Sequence, residues 1–118
     1  MNSILDAALF YALKMGWEVI PVHAPVRDEN QEVIGCTCKY GSTCSRIGKH
    51  PITPHGVKDC SKDESVIRGW WEQFPGANIG IATGWKSSLL VLDVDEGGMD
   101  TLAERKIALP STVVCLTG

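Results

Sequence analysis

Long apolar runs are missing from this chain of 118 residues. None approaches the roughly 18 uninterrupted apolar residues that a membrane span needs, so no membrane partner is expected. The N-terminus carries neither the basic region nor the small-residue cleavage site of a signal peptide, and the location expected on that basis is cytoplasmic. Positive charge is also scarce: 11 Lys and Arg against 14 Asp and Glu give a formal net charge of −3. That balance excludes a general electrostatic adhesive for nucleic acid and confines any such contact to a local patch. Internal repeats are absent as well. What remains, 44% hydrophobic and 21% charged residues, describes one ordinary globular domain without a disordered composition. Cysteine is present in an odd number, five. Three of the five are closely spaced, which in a reducing compartment favours a metal over disulfides.

The hydrophobic pattern alternates between helix and strand. Ser3 and Asp6 form a capping-box pattern ahead of a helical stripe of Leu5, Ala8, Leu9, Ala12 and Leu13, with Gly16 placed to stop the helix. A strand is expected over 17–22. From Pro25 to Cys60 there is no periodicity, only a polar stretch rich in Cys, Gly, Pro and Thr. It is too long for a plain connector in a compact domain. Ser61-Lys62-Asp63-Glu64 predicts a second capped helix with Val66, Ile67, Trp70, Trp71 and Phe74 on one face, ended by Pro75-Gly76. A short strand over 78–82, a turn at Thr83-Gly84, a central strand over 88–95, a helix over about 99–107 and a last strand over 111–116 complete the order. The class predicted is α/β (α+β), a mixed sheet with flanking helices and a metal-stapled insertion at about 34–60 within a single domain, 1–118.

Two constellations carry chemistry. The run Leu89-Leu90-Val91-Leu92-Asp93-Val94-Asp95 reads as a buried strand ending in two carboxylates one residue apart. Strand alternation turns Asp93 and Asp95 to the same side, and two carboxylates so placed repel unless divalent cations lie between them. Such a pair can hold Mg²⁺ or Mn²⁺ for in-line phosphoryl or nucleotidyl transfer. The plainer reading is two aspartates that end a strand. The second constellation is Cys36-Thr37-Cys38, then Cys44, then His50, the donor set of tetrahedral zinc. Gly35 and Gly41 supply the sharp backbone turns that a C-x-C clasp needs. A closed structural site is expected, because the segment otherwise lacks a core. His55 and Cys60 are rival fourth ligands.

Lesser candidates surround these. Lys49 can offer a point charge to a phosphate, and Asn78, Thr83 and Gly84 lie in a glycine-bearing run that a nucleotide could approach closely. Trp70 and Trp71 could stack on bases, although an amphipathic helix favours core positions for them. His23 and Cys115 read as packing residues. Arg46, Lys58, Lys62 and Arg68 are scattered enough to read as solvated surface.

Taken in order, Gly48-Lys49-His50-Pro51 after the cysteine cluster, Trp70-Trp71, Pro75-Gly76-Ala77-Asn78-Ile79-Gly80-Ile81-Ala82-Thr83-Gly84, Leu92-Asp93-Val94-Asp95, Gly97-Gly98, Leu109-Pro110-x-Thr112 and Thr117-Gly118 resemble one family. It is the N-terminal domain of bifunctional DNA primase–polymerases, of the archaeo-eukaryotic primase superfamily common on phages and plasmids. The resemblance implies a nucleotidyltransferase that acts on a DNA template and nucleoside triphosphates, beside a helicase domain or protein. It implies catalytic Mg²⁺ or Mn²⁺ on Asp93 and Asp95, and a zinc-binding insertion at the cysteine cluster. The family pattern continues beyond Thr-Gly with Gly-Gly-x-His-x-Phe and a third acidic ligand. By this resemblance the chain is expected to be a partial domain, inactive alone and with an apolar face left open. Two other classes fit parts of the pattern. A haloacid-dehalogenase-like phosphatase uses D-x-D, but near its N-terminus and before Gly-Thr. A non-catalytic zinc module explains the cysteines alone.

Overall fold

The computed structural model describes residues 3–115. Its core forms where two helices meet one antiparallel ribbon. Helix α1, Ser3–Leu13, places Ala8 and Ala12 on its inner side, and these small residues let the second helix approach closely. Gly16, at φ +72°, ends the helical path, and the Trp17 N–H turns back to the Tyr11 carbonyl. The Tyr11 and Trp17 rings stack there, 5.7 Å apart. Ser3 lies inside the helix, and its expected capping side chain falls outside the described residues. Leu13, expected on the inner stripe, is half exposed.

Strand β1, Val19–Val22, follows at once and is almost wholly buried. On one edge it pairs with a later strand; on the other it meets Ser61 and Pro51 through single antiparallel bridges. The region between holds a hairpin that the sequence pattern does not announce: β2, Pro25–Arg27, with β3, Val33–Cys36. Asp28 closes its turn, its carboxylate accepting from the Asn30 and Glu32 N–H groups. Helix α2, Glu64–Gln73, is capped by Asp63, whose carboxylate accepts from the Ser65 and Val66 N–H groups. The cap is thus two residues beyond the Ser61 expected to provide it, and Ser61 Oγ instead accepts from the Asp63 N–H. Asp can fill the N-cap as well as Ser, and here it takes the first turn's free donors. Ile67 and Trp71 point into the core, Trp70 and Phe74 lie against it, and Val66 faces out. Trp71 Nε1 donates to the Ala77 carbonyl, so the largest buried side chain leaves no polar atom unpaired.

Strand β4, Asn78–Ile81, pairs antiparallel with β1 in the register Val19 to Ile81 through Val22 to Asn78. After Gly84 (φ +80°) the chain makes a tight loop, closed by hydrogen bonds in both directions between Gly84 and Leu89. Buried Ser87 ties that loop to β1's entrance by accepting from the Glu18 N–H at 2.9 Å.

Beyond this point two expected strands do not form. Residues 90–96 and 107–115 have no regular ladder, and only helix α3, Gly98–Glu104, stands between them, ending three residues earlier than expected. A strand needs a neighbour to satisfy its N–H and C=O groups, and among the described residues neither segment has one. Leu90 is 95% exposed, and Val113 and Val114 lie in solvent too; Leu116 lies outside the described residues. The α+β class holds, but the expected mixed sheet is, among the described residues, two antiparallel ribbons.

Candidate metal centre

The end of β3 delivers Cys36 into the interior, and the chain then wraps around it. Cys38 follows two residues on, in a turn closed by Gly41 N–H to the Cys38 carbonyl. A short 3-10 turn, Gly41–Thr43, presents Cys44 at its exit. Gly41 takes φ +51° there, and a Cβ on Gly35 would stand 3.2 Å from the Gly41 and Ser42 backbone. Both glycines are thus needed for different reasons, one for backbone conformation and one for close approach. His50 is fixed from the other side: its carbonyl accepts from the His23 N–H, and Ile52 N–H donates to Pro21. The returning strand-like segment therefore lies along β1, which anchors the loop to the core.

The four donor atoms of Cys36, Cys38, Cys44 and His50 lie within 4.8 Å of one another. His50 Nε2 stands 3.5 Å from Cys44 Sγ and 3.8 Å from Cys36 Sγ. A tetrahedral site with Zn–S of about 2.3 Å and Zn–N of about 2.0–2.1 Å has S···N edges of roughly 3.6 Å, so the spacing suits that ion. The cluster can hold a structural zinc. Its electrostatics call for a cation as well. Burial pushes the Cys36 thiol up, but hydrogen bonds from the Gly48 and Cys38 N–H groups, the Cys38 thiol and His50 outweigh it and bring it down to about 6. Burial, together with Cys38 and Cys36, pushes Cys44 the other way, against the bond from the Arg46 N–H. Thiolates this close repel, so Cys36 ionises at the expense of Cys44.

Several neighbours were not legible as site residues. Gly48 donates its N–H to Cys36 Sγ at 3.4 Å, from φ +69°. A Cβ there would stand 2.8 Å from the Pro25 ring. His23, read from the sequence as packing, lies against His50 with ring centroids 4.7 Å apart, its Nδ1 2.9 Å from Thr37 Oγ1. The rival ligands sit elsewhere. His55 pairs with Asp59, and Cys60 donates to Glu18 Oε2 at 3.1 Å, where Lys86 also approaches to 3.8 Å.

Asp93 and Asp95 lie exposed on the irregular segment after the Gly84–Leu89 loop, and the Asp95 carbonyl accepts from the Gly98 N–H that opens α3. The structure does not gather them with a third acid among the described residues. Lys49 is exposed beside His50, Asn78 begins β4, and Thr83 and Gly84 are exposed at its exit. The glycine inside that run has a packing reason: a Cβ on Gly80 would meet the Val22 and Ile20 side chains at 2.8 and 2.9 Å. No helix among the described residues is long and apolar enough to cross a membrane.

No curated protein and no solved structure matches the chain significantly. A family profile, described as the N-terminal domain of bifunctional DNA primase/polymerase, matches residues 8–118. That span takes in the second half of α1, the cysteine loop, the tryptophan helix and the D-x-D segment together, and the chain belongs to the Prim-Pol family of bifunctional DNA primase/polymerase N-terminal domains.

Proposed function

We propose that this domain contributes to template-directed nucleotidyl transfer during replication of a phage, plasmid or other mobile element, in the cytoplasm and alongside a helicase activity. The observation that carries the reading is the family match, whose span includes Leu92-Asp93-Val94-Asp95. Asp93 and Asp95 are hard oxygen donors one residue apart, the type Mg²⁺ and Mn²⁺ take. When bound, such an ion aligns the triphosphate and offsets negative charge at the α-phosphoryl group. The chain's own part is to present the two carboxylates to solvent, where triphosphate and metal can reach them. Lys49, Asn78, Thr83 and Gly84 are assigned to nucleotide or DNA contact. The zinc cluster is structural in this reading, since all four of its donors come from the protein and no position is left for substrate.

Manganese binding in the presence of a nucleoside triphosphate, followed by electron paramagnetic resonance, tests the assignment. Asp93→Asn and Asp95→Asn should each weaken binding at least tenfold and leave the fold unchanged. Template-directed incorporation by a protein carrying this domain should be lost in both. Unchanged manganese affinity in the double variant would contradict the role given to the pair.

A further inference from the structure

The chain's charge is unevenly divided. Residues 36–58 carry Lys39, Arg46, Lys49 and Lys58 and no carboxylate, whereas the rest of the chain carries seven cations against fourteen carboxylates. Three thiolates with one Zn²⁺ would add a single negative charge, so the loop stays net positive in an acidic protein. The fold then places one of these cations, Arg46, on a cavity. An open cavity of about 320 Å³ borders the zinc cluster, lined by Cys44 and His50 together with Tyr40, Thr43, Ser45 and Arg46. Its size is at the lower end of the range for small-molecule sites, about 300–1,000 Å³. Tyr40 is 60% exposed, yet its backbone is held firmly: its carbonyl accepts from both the N–H and the Oγ1 of Thr43. The Lys39 ammonium stands 5.2 Å from the Tyr40 ring centroid. Lys39, Arg46 and Lys49 have no carboxylate partner among the described residues. An exposed aromatic ring, hydroxyls and the uncompensated Arg46 line this cavity, Lys39 stands beside the ring and Lys49 precedes His50 in the chain; together they suit a unit with a flat face and a repeating anion.

We propose that this cavity seats one unpaired nucleotide of single-stranded DNA, its base against Tyr40 and the adjoining phosphates on Arg46, Lys39 and Lys49. The ligand class rests on the primase–polymerase reading; the placement on the zinc loop rests on the cavity and its charges. Every base has a face to stack, so the contact is sequence-tolerant. A duplex keeps its bases stacked on each other and cannot use the ring.

The test is fluorescence anisotropy of the zinc-loaded chain with a labelled oligothymidylate of about 12 nucleotides across a salt series. Tyr40→Ala should weaken binding about tenfold or more, and Tyr40→Phe should bind like the parent protein. Arg46→Ala should weaken it and lower the slope of log affinity against log salt by about 0.7, the value of one single-strand phosphate contact. Arg68→Ala, which removes a cation already paired with Glu64, should change nothing. Zinc content and circular dichroism would confirm that each variant keeps its fold. Equal affinity in Tyr40→Ala and Arg46→Ala, or equal affinity for single strand and duplex, would overturn the proposal. The readout is binding alone, so a failure here is separable from a failure of Asp93 and Asp95 to bind manganese.

Discussion

Residues 36–60 and residues 88–115 invert the usual relation between hydrophobicity and order. The first region is polar and has almost no core, yet its chain path is fixed at many points: by Gly48 on Cys36, His23 on His50, and Ile52 on Pro21. The second is richly apolar, yet Leu90, Val91 and Leu92 stand in solvent. An apolar sequence creates a demand for burial but cannot supply the neighbour that meets it. Converging thiols and an imidazole carry their own organising centre once a metal is present.

Removing the metal should have the largest effect on the order of the polar loop. Chelation, or Cys38→Ser, should release the zinc and raise amide exchange throughout 25–60, while 88–115, already solvated, shows no change. Hydrogen-exchange mass spectrometry would resolve the two regions. Trp71→Ala comes next: it empties the centre of the core between α1 and β1 and should cost about 3–5 kcal/mol in denaturant unfolding. Gly48→Ala should cost about 1–2 kcal/mol from its left-handed backbone alone. The contact with Pro25 adds to that, and looser zinc binding in a competition with a chelating dye would show that the loss falls on the loop.

Asp63 makes the stability of helix α2 depend on pH. The Ser65 hydroxyl, then the Val66 and Ser65 N–H groups, hold its carboxyl below its ordinary value. A lowered folded value means that the cap's contribution is present above the unfolded carboxylate range. It is lost as pH falls through the folded value. Thermal unfolding between pH 7 and pH 3 should therefore show Asp63→Asn less stable at neutral pH and level with the parent protein in acid. Smallest of all is the effect expected from Leu90→Ser or Val113→Thr. Each should shift stability by no more than about 0.5 kcal/mol, since neither side chain is buried.

The same contrast explains what the sequence revealed. The ligands Cys36, Cys38, Cys44 and His50 were readable because thiol and imidazole chemistry is rare and local spacing constrains it. Ile67, Trp70 and Trp71 were readable because helical periodicity reports a buried face. The β2–β3 hairpin was not: its strands are three and four residues long, and Val33 and Ile34 face solvent. His23 beside His50, Ser87 beneath Glu18 and Cys60 on Glu18 depend on contacts between distant parts of the chain, which no local pattern records. The strand expected over 88–95 erred for the reason already given, since its apolar residues report a need and not a partner. Asp93 and Asp95 were recognisable as a motif, but the structure leaves them in the open.

X-ray absorption at the zinc edge of the purified chain tests the central claim, that a closed Cys₃His site organises the loop, most directly. About one zinc per chain is expected, with three sulfur neighbours near 2.3 Å and one nitrogen at about 2.0–2.1 Å. Metal-free protein with an equally protected loop, or a shell containing a water oxygen or a fourth sulfur in place of His50, would contradict it.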